Sequence, residues 1–290
     1  MNIFDIIQTF SIAHSSVFGI CDASPLDAVY LQKSTFVPFV SSDIQKRTDP
    51  SAILPGVQSI IVIGVGTSCN VPYQAQSEEK FAELSSLGTD KDYHIRVKAL
   101  LRELVNELSR HITFKYKILV DSPTLDERAF ARRAGIGFFG RNGLIICPQF
   151  GTRFNIGLLL TDIPLSKPTF PSESKCPPNC RLCIDACPNG AFRFDSPLDT
   201  VKCISYLTQK RDLTEEEKAM LSNQLYGCNI CQDVCPFNTP REKIYINPHE
   251  WLAMDDTAFA EKYENTAMLW QGPEILRRNA QAVISNFRGL

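Results

Sequence analysis

Between residues 57 and 66 the chain reads VQSIIVIGVG, an unbroken apolar run rich in β-branched residues that ends on glycine. A run without polar alternation predicts a strand buried on both faces. Residues 91–112 carry apolar side chains at helical spacing, with Ile95, Leu100, Leu101, Leu104, Val105 and Leu108 on one stripe. Residues 116–120 predict a second strand with Asp121 at its C-terminal end, and 126–134 a short helix that stops at Gly135. Residues 144–147 and 156–161 read as a further strand pair. Strands alternating with helices predict a mostly parallel sheet, where ligands gather at the strand C-termini.

Past residue 170 the pattern changes from apolar periodicity to cysteine and proline. There Thr214 and Glu217 make a capping box, predicting a helix that runs to Tyr226 and delivers Cys228. The expected organisation is therefore an α/β domain over 1–170, a cysteine-built module over 171–245 and a helical segment over 246–290, an α+β or α/β chain overall. Apart from the two cysteine runs there is no internal repeat and no low-complexity stretch.

Composition narrows the class. With 290 residues, 44% of them apolar, the chain can bury one large core and a small appended module. No segment approaches the ~18 apolar residues of a membrane span, so no membrane contact is expected. A net charge of −2 gives no global basic signature for nucleic acid. Basic groups do collect near the second cysteine run, at Lys202, Lys210, Arg211, Arg241 and Lys243, where a solvated surface is the simpler reading. Residues 1–20 include Asp5, Gln8 and His14 and lack the apolar core of a secretory leader, so a reducing, cytoplasmic setting is expected.

Eight of the eleven cysteines form one pattern: Cys176, Cys180, Cys183 and Cys187-Pro188, a lone Cys203, then Cys228, Cys231 and Cys235-Pro236. A cubane presents irons at four tetrahedral corners, and a tight loop supplies three thiolates but cannot reach the fourth. The last cysteine of each run therefore crosses to the other cluster, and the proline after it keeps a helix from absorbing the loop. The spacing assigns Cys176, Cys180, Cys183 and Cys235 to one [4Fe-4S] cluster, and Cys187, Cys203, Cys228 and Cys231 to another. Between Cys176 and Cys180 stand three residues rather than two, an insertion that a Pro-Pro-Asn loop can absorb. Structural zinc would use two Cys-x2-Cys pairs but has no use for a third Cys followed by Pro. Cys21 and Cys147 read as core filler.

Glycines at 135, 137, 140 and 143 let backbone approach something flat or bulky. A dinucleotide fingerprint does not fit them, because they follow a helix and precede a strand. Together with KRTDP (46–50), LPG (54–56), DYH (92–94), VDSP (120–123), RRAGIG (132–137), GRN (140–142), LTD (160–162), CISY (203–206), YGCNIC (226–231) and RRNA (277–280), they make the chain resemble the epoxyqueuosine reductase family. That resemblance implies a cobalamin-binding α/β domain followed by a two-cluster ferredoxin-like domain, related to reductive dehalogenases. It also implies the last step of queuosine formation in tRNA, removal of the epoxide oxygen, with electrons from a low-potential donor such as ferredoxin or flavodoxin. Many members continue into a helical-repeat domain, whereas this chain ends at Leu290, as a short form would.

On the same resemblance Asp121 is the proton donor, and its place at a strand end suits a carboxyl raised by burial against the corrin. The corrinoid pocket is expected at Arg47, Cys69, Asn142, Gly143, Leu144 and Ile145, although Arg47 could instead pair with Asp49. His14, His94, His111 and His249 read as structural, His94 alone lying within a family-like motif. Two other readings stay open: a corrinoid enzyme acting on another substrate or on a corrinoid protein, and a pure electron carrier.

Overall fold

The structure, a computed structural model, describes residues 2–27, 39–67, 82–88, 91–165, 173–192 and 198–288. Its strands are β1 (Ser16–Asp22), β2 (Ser59–Gly66), β3 (Ala82–Leu84), β4 (Tyr116–Leu119), β5 (Phe138–Phe139), β6 (Ile145–Ile146), β7 (Phe154–Thr161), β8 (Gln224–Tyr226) and β9 (Ile244–Ile246). They fall into two units, Met1–Thr67 with His94–Cys180 and Ser68–Tyr93 with Arg181–Leu290. The sequence boundary at 170 thus differs from the division by contacts, and the segment after 246 packs within the later unit.

In the first unit the sheet runs β1-β2-β7-β4, and every neighbouring pair is antiparallel, which corrects the expected parallel arrangement. The misreading has a physical cause. Ile60, Ile61, Val62 and Ile63 are all buried because both faces of β2 are covered, which erases the in-and-out alternation of an ordinary antiparallel strand. One face packs Ile60, Val62, Leu158 and Leu160 against Phe130, Ala131 and Ala134 of the Glu127–Arg133 helix. On the other face lies the Tyr93–Ser109 helix, which comes so close at Gly157 that a Cβ there would meet Val97 Cγ1 at 2.6 Å. Val97, Leu100, Leu101, Leu104, Val105 and Leu108 form its buried stripe. Ile95, expected among them, is 57% exposed; two residues before Val97 places it about 200° round the helix.

The short helix stops as expected. Gly135 adopts φ +76°, and the N–H groups of Gly135 and Ile136 return to the carbonyls of Arg132 and Ala131, a C-terminal cap that needs glycine. Residues 145–146 pair with 138–139 in a small separate hairpin, not with β7 as expected. The expectation missed the N-terminal Ile3–Ala13 helix, which opens with its own capping box from Asn2 and Asp5.

The second unit is built on β8-β3-β9, with β3 parallel to β8 and antiparallel to β9. The capping box at Thr214 and Glu217 is present, but its helix covers only Glu215–Ala219, and Gln224–Tyr226 is strand rather than helix. A strand partner more than a hundred residues upstream overrides the local helical pattern. The Pro273–Arg288 helix covers this sheet with Leu276, Ala280 and Val283, beside Trp251, Phe259 and Tyr263. Trp251 meets Phe259 edge-on, and its indole N–H donates to the Tyr263 hydroxyl at 2.6 Å. Among the described residues no helix is long and apolar enough to cross a membrane.

Candidate active site and cysteine loops

β4 delivers the chain to a sharp corner. Val120 is buried, and at the next residue the backbone turns left-handed, with Asp121 at φ +49°, a conformation costly for a side chain unless its surroundings enforce it. The enforcing contact comes from Glu127, whose carboxyl accepts the N–H of Asp121 at 3.0 Å and that of Ser122 at 2.8 Å. Ser122 then bonds Thr124 through their hydroxyls at 2.6 Å, and Asp126 caps the helix by accepting the N–H of Ala129. Asp121 is itself exposed, its Oδ2 lying 3.5 Å from Nε2 of His94.

The first turn of this helix reaches three ways. Asp126 is buried with Arg47, Oδ2 to Nη2 at 3.4 Å, and the two side chains are 5% and 8% exposed. Glu127 holds the Asp121 corner, and Arg128 donates to the carbonyl of Gly143 at 3.2 Å. Removing one partner of a buried pair strands the other charge in a medium that solvates it poorly. Arg47→Ala is therefore expected to lower stability by about 3–5 kcal/mol, read as an earlier midpoint in denaturant unfolding; an unmoved midpoint would contradict the pairing.

The buried carboxyl at this corner is that of Glu127. Part of that side chain meets solvent, but its carboxyl end is enclosed by protein, which pushes it from 4.5 up to about 8; the Asp121 and Asp126 carboxylates push the same way, against the two N–H groups. In the unfolded chain this carboxyl loses its proton near the lower value and in the folded chain near the higher. Between them the folded state holds a proton that the unfolded state has released, so stability falls as pH rises through that window. Raising the pH from about 6 to about 9 is expected to cost the wild type more stability than Glu127→Gln, which has nothing to ionise. Equal losses in denaturant titrations of the two proteins would refute this.

Of the residues expected to line a corrinoid pocket, Arg47 turns inward to Asp126. Ile145 is 3% exposed in the core, and Asn142 is equally buried, its Oδ1 accepting the N–H of Leu144 at 3.2 Å. Gly143 and the half-buried Leu144 remain toward solvent. Gly143 sits at φ +72° with nothing within 4 Å of where a Cβ would stand, an open turn that a flat macrocycle could approach. Cys69 lies outside the described residues. Cys21 and Cys147 are buried as filler, and burial pushes the Cys21 thiol up to about 12. Sequence reasoning did not single out Glu127, which reads as an ordinary acidic residue in a first helical turn; His94, read as structural, lies beside Asp121.

The cysteine loops repeat one local design. Cys183 and Cys231 ride on the four-residue helices Leu182–Asp185 and Ile230–Asp233, and Cys203 precedes the helix Ile204–Leu207. At Cys187 the chain turns so that the N–H of Ala191 points to Sγ at 3.5 Å, the kind of hydrogen bond that tunes a cluster sulfur. The extra residue after Cys176 is taken up by a turn in which the N–H of Cys180 donates to the carbonyl of Pro177 at 3.0 Å.

Burial pushes Cys203 up and Cys228 up to about 12, and neighbouring thiols add to it: Cys187 for Cys203, Cys203 and Cys187 for Cys228. Cys231 is raised too, by burial and then by Cys228, Cys203, Cys183 and Cys187. These thiols crowd one another as thiolates only at a cost that bound iron would remove, so the residues present fit a cluster. From the C-terminal helix, Asn279 braces the loops by donating to the carbonyls of Thr208 at 2.8 Å and Leu225 at 2.9 Å, while the Thr208 hydroxyl accepts the N–H of Gly227.

Residues 176–238 match the family described as "4Fe-4S double cluster binding domain", and residues 47–122 that described as "Epoxyqueuosine reductase QueG, DUF1730". The epoxyqueuosine reductase of Bacillus cereus is 32% identical over 98% of this chain and 82% of its own length. The chain belongs to the epoxyqueuosine reductase family. Among solved structures, an epoxyqueuosine reductase with an epoxyqueuosine-modified tRNA-Tyr stem loop aligns with TM-score 0.85 at 29% identity, over 99% of this chain and 83% of the other. The Bacillus subtilis epoxyqueuosine reductase, caught with its catalytic aspartate loop swung out of the active site, aligns at 0.84 and 29% over the same shares. The epoxyqueuosine reductase match over 47–122 begins on Arg47 and closes on the Asp121–Ser122 corner, and the double-cluster match spans all eight patterned cysteines.

Proposed function

We propose that this chain reduces epoxyqueuosine to queuosine in tRNA, using two [4Fe-4S] clusters and cobalamin. The carrying observation is the Asp121 carboxyl, exposed at a strand end beside His94, in a chain that also holds the eight-cysteine pattern. Family membership and a relative solved with an epoxyqueuosine-modified tRNA stem loop support the substrate.

Expelling an epoxide oxygen as water consumes two electrons and two protons. Bound clusters would pass electrons singly and the corrinoid would supply the reducing chemistry. The chain's own part is one of the two protons, the other coming from water: Asp121 gives it from its carboxyl oxygen to the departing oxygen, and the nearby His94 stabilises the carboxylate left behind. Gly143 and Leu144 offer the corrinoid an open turn, while Asn142 and Ile145 hold that turn from within and Arg128 grips the Gly143 carbonyl. The cysteine spacing supports Cys187, Cys203, Cys228 and Cys231 as one ligand set, which leaves the other four patterned cysteines for the second cluster.

The test is anaerobic reconstitution with iron, sulfide and cobalamin, a low-potential reductant and epoxyqueuosine-containing tRNA, followed by mass spectrometry of the nucleosides. Queuosine is the expected product. Bound cobalamin with epoxyqueuosine untouched would move this chain to another substrate.

A further inference from the structure

We infer that Glu127 is the positioning residue for the Asp121 corner: its carboxyl accepts the backbone N–H groups of Asp121 and Ser122 and so holds the proton donor in the left-handed turn that keeps its side chain beside His94. This rests on Asp121 being the acid of the proposed reaction. The geometry is specific. One carboxyl uses both oxygens on two consecutive amides, at 3.0 and 2.8 Å, and the first of these residues, Asp121, stands at φ +49° without being glycine. A left-handed non-glycine corner reverts to extended backbone unless something holds it.

Glu127 is itself held. It follows the helix cap Asp126, which is buried against Arg47, and precedes Arg128, which is tied to the Gly143 carbonyl. The brace thus joins the corner carrying the acid to the turn expected to face the corrinoid. The two backbone bonds act on the corner itself, beneath the exposed Asp121 side chain.

The experiment compares the reconstituted holoprotein with Glu127→Ala, Glu127→Gln and Asp121→Asn by hydrogen exchange and by turnover on epoxyqueuosine tRNA. In Glu127→Ala the amides of Asp121 and Ser122 are expected to exchange about tenfold faster, with those of Phe130 and Ile136 unchanged as the check on folding. Turnover is expected to fall about 10- to 100-fold with the KM for tRNA and the cobalamin absorbance unmoved. Glu127→Gln keeps one acceptor oxygen and should fall between. Asp121→Asn should lose turnover with its exchange unaltered. Unchanged exchange in Glu127→Ala, or faster exchange with turnover intact, would overturn the role of Glu127. An active Asp121→Asn enzyme would overturn the acid assignment beneath it instead.

Discussion

Asp121→Asn is expected to stop queuosine formation, with turnover down by about 10²–10⁴-fold, the usual worth of a positioned general acid. The substitution keeps shape and hydrogen-bonding capacity but removes the transferable proton. Glu127 grips the backbone N–H of residue 121 and not its side chain, so the corner should survive the change. Iron content and the corrinoid spectrum should match wild type, while nucleoside analysis shows epoxyqueuosine persisting. A variant that lost cobalamin along with activity would mean that Asp121 serves binding and not proton transfer. The side chain of His94 lies 3.5 Å away and would face an amide in place of the carboxyl.

Cys203→Ala is expected to remove one cluster and all reductase activity. This cysteine stands alone between the two runs, so no neighbour in sequence can replace it. Cys187 raises its thiol and it in turn raises Cys228 and Cys231, and on the proposed ligand set these are the four thiols of one cluster. Three ligands leave one iron corner open, and iron per chain should fall by about half. Electron transfer through a series fails when either member is missing, so reductant should no longer drive turnover. Full iron content in the variant, measured by metal analysis after anaerobic reconstitution, would assign Cys203 elsewhere. Cys21→Ala serves as the contrast: its thiol is buried in the sheet core and should leave iron unchanged.

The residues that spoke most clearly in the sequence are those whose chemistry needs fixed spacing. Cysteine intervals announce clusters because a cubane dictates them, and the capping box at Thr214 appears because its two bonds are local. The strand at 59–66 and the stripe from Leu100 to Leu108 were legible for the same reason, whereas Ile95 was taken where Val97 belongs. Strand direction was not, since a strand covered on both faces shows no alternation whichever way its neighbours run. Nor was the strand character of Gln224–Tyr226, which depends on a partner 141 residues away. At the site, Asp121 could be read from its motif, but Glu127 could not: nothing in its sequence position says that its carboxyl turns back to two amides.

Among the described residues β8 and β9 are not paired with each other in the sheet, and each is joined to β3 alone. Glu83 of β3 finds Gln224 and Lys243 at separations of 141 and 160 residues. During synthesis this short strand must therefore remain unpaired until nearly the whole chain has emerged, a delay that favours slow folding and exposes a sticky edge. A gene fragment beginning at residue 94 would keep every patterned cysteine yet encode two strands with nothing between them.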